Sequence, residues 1–221
     1  EMISLQPDQY LRSLFDCAVG AADPHQVLGR WLPDDTDREA IVIGAGKAAA
    51  SMAAALESHW RGKLSGLVVT RYGHGEPCAH RDVVEAAHPV PDDEGEKVAR
   101  RILRLVQGRS EDDLVIFLVS GGGSSLLALP APGLTLAQKQ DISRQLLRSG
   151  AAIDEMNCVR KHLSAIKGGR LALACQPATV MTFAISDVPG DLATVIASGP
   201  TVPDPSSCAD AQQILARYSI D

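Results

Sequence analysis

The chain has 221 residues, 45% of them hydrophobic, 22% charged and only 4% aromatic, with a formal net charge of −6. It is long enough to bury a real core, which excludes a disulfide-stapled miniprotein and a disordered tail. The acidic balance and scarcity of aromatic stacking platforms argue against nucleic acid as a partner. Cys17, Cys78, Cys158, Cys175 and Cys208 contain no C-x-x-C pair and read as reduced thiols of a cytoplasmic protein. No apolar run approaches the length of a membrane span, so no membrane partner is expected, and no signal-peptide pattern is read. Glu1 ahead of Met2 reads as an added residue and the Asp221 end as a truncation.

In chain order, about Asp8 to Ala22 is helical by pattern. Ala40 to Ile43 opens a strand that runs into a glycine turn and an Ala-rich helix. Further strands are predicted at about Gly66 to Thr70, Val83 to Ala86, Leu114 to Val119 and Ala178 to Ile185, with the continuous Val, Ile and Leu of strands buried on both faces. Asp92 to Gln107 begins after Pro91 with acids, turns basic, and stacks Val98, Ile102 and Leu105 on one stripe, as an amphipathic helix does. Thr135 with Gln138 forms a capping box for a helix to about Ser149, ended by Gly150. Alternating strands and helices predict an α/β class, a Rossmann-like, mostly parallel sheet flanked by helices, in one domain over residues 1–221.

The chemistry gathers at predicted strand ends. Gly44-Ala45-Gly46-Lys47-Ala48-Ala49 joins a strand to a helix, so its N–H groups and the helix N-terminus are placed to receive an anion, a tight packing turn being the alternative. The spacing satisfies the degenerate dinucleotide pattern G-x-G-x-x-A and not the Walker form. Lys47 opposes the helix dipole, which a negative ligand would explain. Ser120-Gly121-Gly122-Gly123-Ser124-Ser125 follows another buried strand and can wrap phosphate oxygens with amides and hydroxyls, or simply be a flexible turn.

The segment Asp154 to Lys167, read as one helix closed by Gly168-Gly169, puts Asn157, Arg160, Lys161, Ser164 and Lys167 on one arc and Val159, Leu163 and Ile166 on another. The basic arc is either a solvated face or a carboxylate or phosphate contact. In Ser186-Asp187-Val188-Pro189-Gly190-Asp191, the two carboxylates suit Mg²⁺, a substrate hydroxyl proton, or plain turn chemistry. His74, Cys78 and His80 lack a fourth ligand, so zinc is not expected. His88 is either a ligand contact or a satisfied histidine near the core. The irregular Pro200 to Ser207 segment has the character of a functional loop.

Together, Gly44 to Lys47, Ala87 to Asp92, Ser120 to Ser125, Asn157 to Ser164, Lys167 to Gly169, Ser186 to Asp191 and Ala197 to Thr201 resemble, in order, the motifs of the glycerate 2-kinase family, whose members often carry a hydroxypyruvate reductase name. The resemblance covers nearly all of the chain and implies a longer protein, with a C-terminal lobe beyond this N-terminal domain and an active site between the lobes. It implies ATP- and Mg²⁺-dependent phosphorylation of D-glycerate, a small-molecule substrate, at the 2-hydroxyl. Lys47 is then the catalytic cation. Gly44, Gly46, Ser120, Gly121, Gly122, Gly123, Ser124 and Ser125 hold the nucleotide. Asp187 and Asp191 serve metal or hydroxyl positioning, and Arg160, Lys161 and Ser164 bind the substrate. Two alternatives stay open, an NAD(P)H-dependent hydroxypyruvate reductase and a non-catalytic association module. Arg71, where a dinucleotide fold prefers an acid, weighs against the first. A homo-oligomer is compatible with all three.

Overall fold

A computed structural model describes residues 6–220. After helices α1 (Pro7–Ala22) and α2 (Pro24–Val27), the chain runs β1 (Ala40–Ala45), α3 (Ala49–His59), β2 (Leu64–Arg71), β3 (Asp82–Ala86), α4 (Asp93–Val106), β4 (Leu114–Ser120), α5 (Gly123–Leu126), α6 (Leu136–Ser149), α7 (Ile153–His162), α8 (Arg170–Cys175), β5 (Thr179–Ile185) and α9 (Cys208–Arg217). The strands form one parallel sheet in the order β3-β2-β1-β4-β5. The α/β class with a Rossmann-like parallel sheet is therefore observed, and the five predicted strands are its members.

Every residue of β1 and β4 is buried, the signature of central strands covered by helices on both faces. Alternation then divides their side chains between two cores. Ile41, Ile43, Val115, Phe117 and Val119 pack with Val98, Ile102 and Val106 of α4. Val42, Leu114, Ile116 and Leu118 pack with Met52, Ala53 and Leu56 of α3. Phe117 is fully buried, a burial that stabilises by about 2–3 kcal/mol. The outer strand β5 is only half covered.

Local chemistry fixes the helix starts. The Asp92 carboxylate accepts the Gly95 N–H at 2.9 Å, and Asp93, Glu94 and Glu96 follow in the first turn of α4. Thr135 and Gln138 make a reciprocal capping box at α6, which ends with Gly150 at φ +77°.

The predicted helix over 154–167 is shorter in the structure. α7 stops at His162 because Ser164 forms an antiparallel bridge with Pro130 and its Oγ donates to the Leu129 carbonyl at 3.1 Å. Gly168 and Gly169, both at positive φ, do not cap that helix and instead lead into α8. The expected arc of Asn157, Arg160, Lys161, Ser164 and Lys167 is accordingly not one helical face. The Pro200 to Ser207 segment is irregular as expected, and it carries the partly buried Asp204, which binds Lys161. No helix among the described residues is long and apolar enough to cross a membrane.

Candidate functional site

The chain leaves β1 and β4 from adjacent strand ends, at the point where strand order reverses and a parallel sheet opens a crevice. Small residues let the two exits meet. A Cβ on Gly44 would come within 2.7 Å of the Leu118 carbonyl oxygen, and one on Gly46 (φ +144°) within 2.1 Å of Ser120 Oγ. In this contact the Lys47 N–H donates to the Gly121 carbonyl at 2.8 Å and the Ala48 N–H to Ser120 Oγ at 3.0 Å. The Gly46 N–H donates to Val69 O and the Ala49 N–H to Gly46 O, each at 3.1 Å.

These bonds correct one expectation: the N–H groups of Gly46 to Ala49 are all engaged within the protein, so the first turn does not offer them to an anion. Its contribution is the Lys47 side chain, which is 43% exposed and has its nearest carboxylate oxygen, Asp187 Oδ2, at 3.9 Å.

The second loop is different. Among the described residues, no protein acceptor takes the N–H of Gly121, Gly122, Gly123 or Ser124. Gly122, at φ +87°, turns the chain from β4 into the helical turn of α5, the kind of backbone reversal that converges amides on an anion. Ser125 Oγ donates to the Gly122 carbonyl at 3.0 Å, and the hydroxyls of Ser124 and Ser198 share a hydrogen bond of 2.8 Å. The loop is closely flanked: a Cβ on Gly122 would lie 2.9 Å from the His88 ring and 3.4 Å from Lys47 Cγ, and one on Gly121 would lie 2.1 Å from Asp187 Oδ2. Burial, and then the nearby Lys47 and Arg71, hold the His88 pKa below its ordinary value and favour the neutral imidazole.

Asp187 thus joins Lys47 and the glycine loop. Asp191 lies exposed at φ +51° in the following turn, and among the described residues no ion pair or side-chain hydrogen bond links it to them. No group of three or more His, Cys, Asp or Glu side chains is gathered as a metal site among the described residues.

Beside His88, Ser124 and Ser125 a cleft of about 360 Å³ opens between the strand ends and α6, with Lys139, Arg160 and Lys167 in its wall. Of the residues read as substrate-binding, Arg160 lines this cleft. Lys161 does not: its ammonium pairs with Asp204 at 3.1 Å, both side chains about one-tenth exposed. Ser164 is buried against Leu129. Lys139 was not singled out in the sequence, although a signal was there, since it occupies the buried stripe of α6 with Leu136 and Leu146.

The family described as "Domain of unknown function (DUF4147)" matches residues 10–221. The chain belongs to this family. Among its relatives, the D-glycerate 2-kinase of Thermotoga maritima is 46% identical over 206 residues, which make up 92% of this chain and 49% of that protein. A protein of Agrobacterium vitis with a hydroxypyruvate reductase name is 54% identical over 214 residues, 96% of this chain and 49% of that protein. The crystal structure of the Thermotoga maritima glycerate kinase superimposes with a TM-score of 0.84 at 43% identity, covering 95% of this chain and 53% of that one. The chain spans about half the length of the curated relatives it matches. Kinase and reductase names thus occur together among relatives of this DUF4147 chain, and the solved kinase shares its fold.

Proposed function

We infer that this chain is the nucleotide- and substrate-binding domain, with a further lobe completing the cleft, of an ATP-dependent kinase that phosphorylates the 2-hydroxyl of D-glycerate, giving 2-phosphoglycerate and ADP. The observation that carries this reading is the set of unengaged N–H groups from Gly121 to Ser124, beside the Lys47 side chain and at the mouth of a basic cleft.

The acceptor oxygen forms a bond to the γ-phosphorus while the bond to the β–γ bridging oxygen breaks, and that electron pair leaves with ADP. The hydroxyl proton must be accepted, and Asp187 is the carboxylate assigned to it or to the metal. The amides of Gly121 to Ser124, with the Ser124 hydroxyl, hold phosphate oxygens, and the Ser125 hydroxyl joins them only by releasing the Gly122 carbonyl. Gly44, Gly46 and Ser120 serve by bringing the two strand exits together, and Lys47 stabilises charge on the transferring group. A lone carboxylate beside an amide loop fits the habit of Mg²⁺, which takes one or two protein carboxylates and completes its shell with phosphate and water. Mg²⁺, when bound, supplies neutralisation of the phosphate charge. Asp191 is the second carboxylate of this assignment, and an Asp191→Asn protein of full turnover removes it. Arg160 faces the acceptor carboxylate, while Lys161 and Ser164 support the cleft wall from behind. A cytoplasmic setting accords with the free thiols at Cys17, Cys78, Cys158, Cys175 and Cys208.

The structure gives the reductase reading little support. A dinucleotide pyrophosphate would need the turn amides at Lys47 and Ala48, which are engaged, and Arg71 ends β2 where an acid would meet the ribose. The deciding experiment follows the complete protein by phosphorus NMR with ATP, Mg²⁺ and D-glycerate, in parallel with NADPH and hydroxypyruvate. 2-Phosphoglycerate is the expected product; NADPH oxidation without a phosphoryl product would overturn the reading.

A further inference from the structure

Three basic side chains meet in the wall of the cleft without an acidic partner among the described residues. Lys167 is 3% exposed and its ammonium donates to the Ser124 carbonyl. Lys139 is 6% exposed and donates to the carbonyls of Leu163 at 3.0 Å and Arg160 at 3.4 Å. Arg160 completes the group. The remaining charged side chain of the lining, Arg144, is also basic, and among the described residues no Asp or Glu lines the cleft. Elsewhere this fold pairs its buried charges, Arg81 with Glu57 and Lys161 with Asp204. Carbonyl oxygens give Lys167 one hydrogen bond and Lys139 two, and no carboxylate compensates the charge these lysines carry when protonated. When protonated, the two desolvated lysines and the guanidinium repel one another, and an anion in the cleft would turn that repulsion into attraction.

We propose that Lys139 and Lys167 join Arg160 as the specificity-determining residues that receive the carboxylate of the acceptor, so that the site takes a 2-hydroxy acid and rejects an uncharged polyol of the same shape. The proposal rests on the kinase reading for its choice of a carboxylate. Placement supports the choice: Ser124 gives its carbonyl to Lys167 and its unengaged N–H to the phosphate loop, so one residue joins the two subsites. A carboxylate held by the lysines lies one short carbon chain away from where the phosphoryl group would sit, which is the layout of a 2-hydroxy acid. Desolvation, reinforced by Arg160 and Arg170, pushes the Lys139 pKa down to about 7, and Lys167 is shifted in the same direction by burial, Lys139 and Arg160. A bound anion reverses these effects and draws protons onto the site.

The test uses the complete protein, following the backbone resonances of this domain during titration with D-glycerate, its neutral methyl ester, inorganic phosphate and, separately, ATP. D-Glycerate is expected to shift residues around Lys139, Arg160 and Lys167 saturably, the ester to bind at least about tenfold more weakly, and Lys139→Met and Lys167→Met each to weaken D-glycerate by about tenfold or more. Lys139→Met, whose bonds are to the Arg160 and Leu163 carbonyls and not to the glycine loop, is expected to leave the ATP-induced shifts at Gly121 to Gly123 unchanged. Calorimetry of the unmutated protein at pH 8 in buffers of different ionisation enthalpy is expected to show proton uptake with D-glycerate, a readout that holds if a variant fails to fold. Equal binding of ester and acid, unchanged affinity in both variants, or no proton uptake overturns the proposal. Phosphate bound in the cleft more tightly than D-glycerate overturns the carboxylate assignment. Loss of the ATP response with D-glycerate binding intact counts against the kinase reading and leaves the carboxylate site standing.

Discussion

The main-chain N–H of Lys47 donates to the carbonyl of Gly121 across 2.8 Å, tying the exit of β1 to the exit of β4. The lysine side chain is thereby registered against the glycine loop by backbone, and the register depends on the absence of side-chain bulk at the contact.

Gly46→Ala and Gly121→Ala are therefore expected to behave differently. At Gly46 the new methyl would fall 2.7–2.8 Å from the backbone of Ser120 at φ +144°, where both strain and overlap oppose it. A loss of about 3 kcal/mol or more in chemical denaturation is expected. At Gly121 the clash is with the exposed end of Asp187, which can swing aside. Stability should change by about 1 kcal/mol or less while turnover of the complete protein falls. Equal destabilisation by both would show that the loop contact is not specific.

Lys47→Ala removes a half-exposed ammonium whose nearest carboxylate is 3.9 Å away, so little folding energy goes with it. Turnover is expected to fall by about 10²–10³ with the melting temperature unchanged, as for other single groups stabilising developing charge. Steady-state kinetics beside a thermal melt checks it; unchanged turnover removes Lys47 from the mechanism.

The Lys139 pKa, pushed down to about 7 by burial and neighbouring cations, has a stability consequence. From about pH 7 to the ordinary lysine range the unfolded chain binds a proton there that the folded chain does not, so stability rises with pH over that window. Below pH 7 both states carry the charge and the slope from this group disappears. Urea denaturation from pH 6 to 9 should show the rise, and Lys139→Met should reduce it; the difference between the two proteins isolates Lys139 from Lys167 and His88, whose lowered pKa values add slopes of the same sign.

Thr135→Ala removes the side-chain half of the capping box at α6. Destabilisation of about 1 kcal/mol is expected with D-glycerate binding retained, because the Lys139 end of the helix is also held by Leu136 and Leu146 in the core. Denaturation together with a D-glycerate titration checks both halves.

The sheet was legible because β1 and β4 are apolar runs, interrupted only by Gly44 and the terminal Ser120, and glycine follows each of them. Capped helices such as α4 and α6 were legible for the same local reason, their start signals lying within a few residues. The segment after His162 was not. Val159, Leu163 and Ile166 keep a helical period through it, but the bridge from Ser164 to Pro130 is a contact between distant parts of the chain that outweighs local pattern. The shortened helix leaves Ser164 and Lys167 off its face, while within it Arg160 reaches the cleft and its neighbour Lys161 turns to Asp204. At Gly44 to Ala49 the pattern disclosed a tight turn but not the destination of its amides, since their acceptors at Val69, Ser120 and Gly121 come from other strands.

The unequal covering of the strands also sets an order in which the site comes apart. β4, sealed on both faces and paired on both sides, carries the glycine loop, and β1 beside it carries Lys47, so their amides should be among the last to exchange with deuterated water. Asp187 hangs from the half-covered β5, whose described pairing is to β4 alone. The carboxylate is thus delivered by the strand that opens early and the lysine by one that opens late, leaving the molecule a fixed jaw and a yielding one.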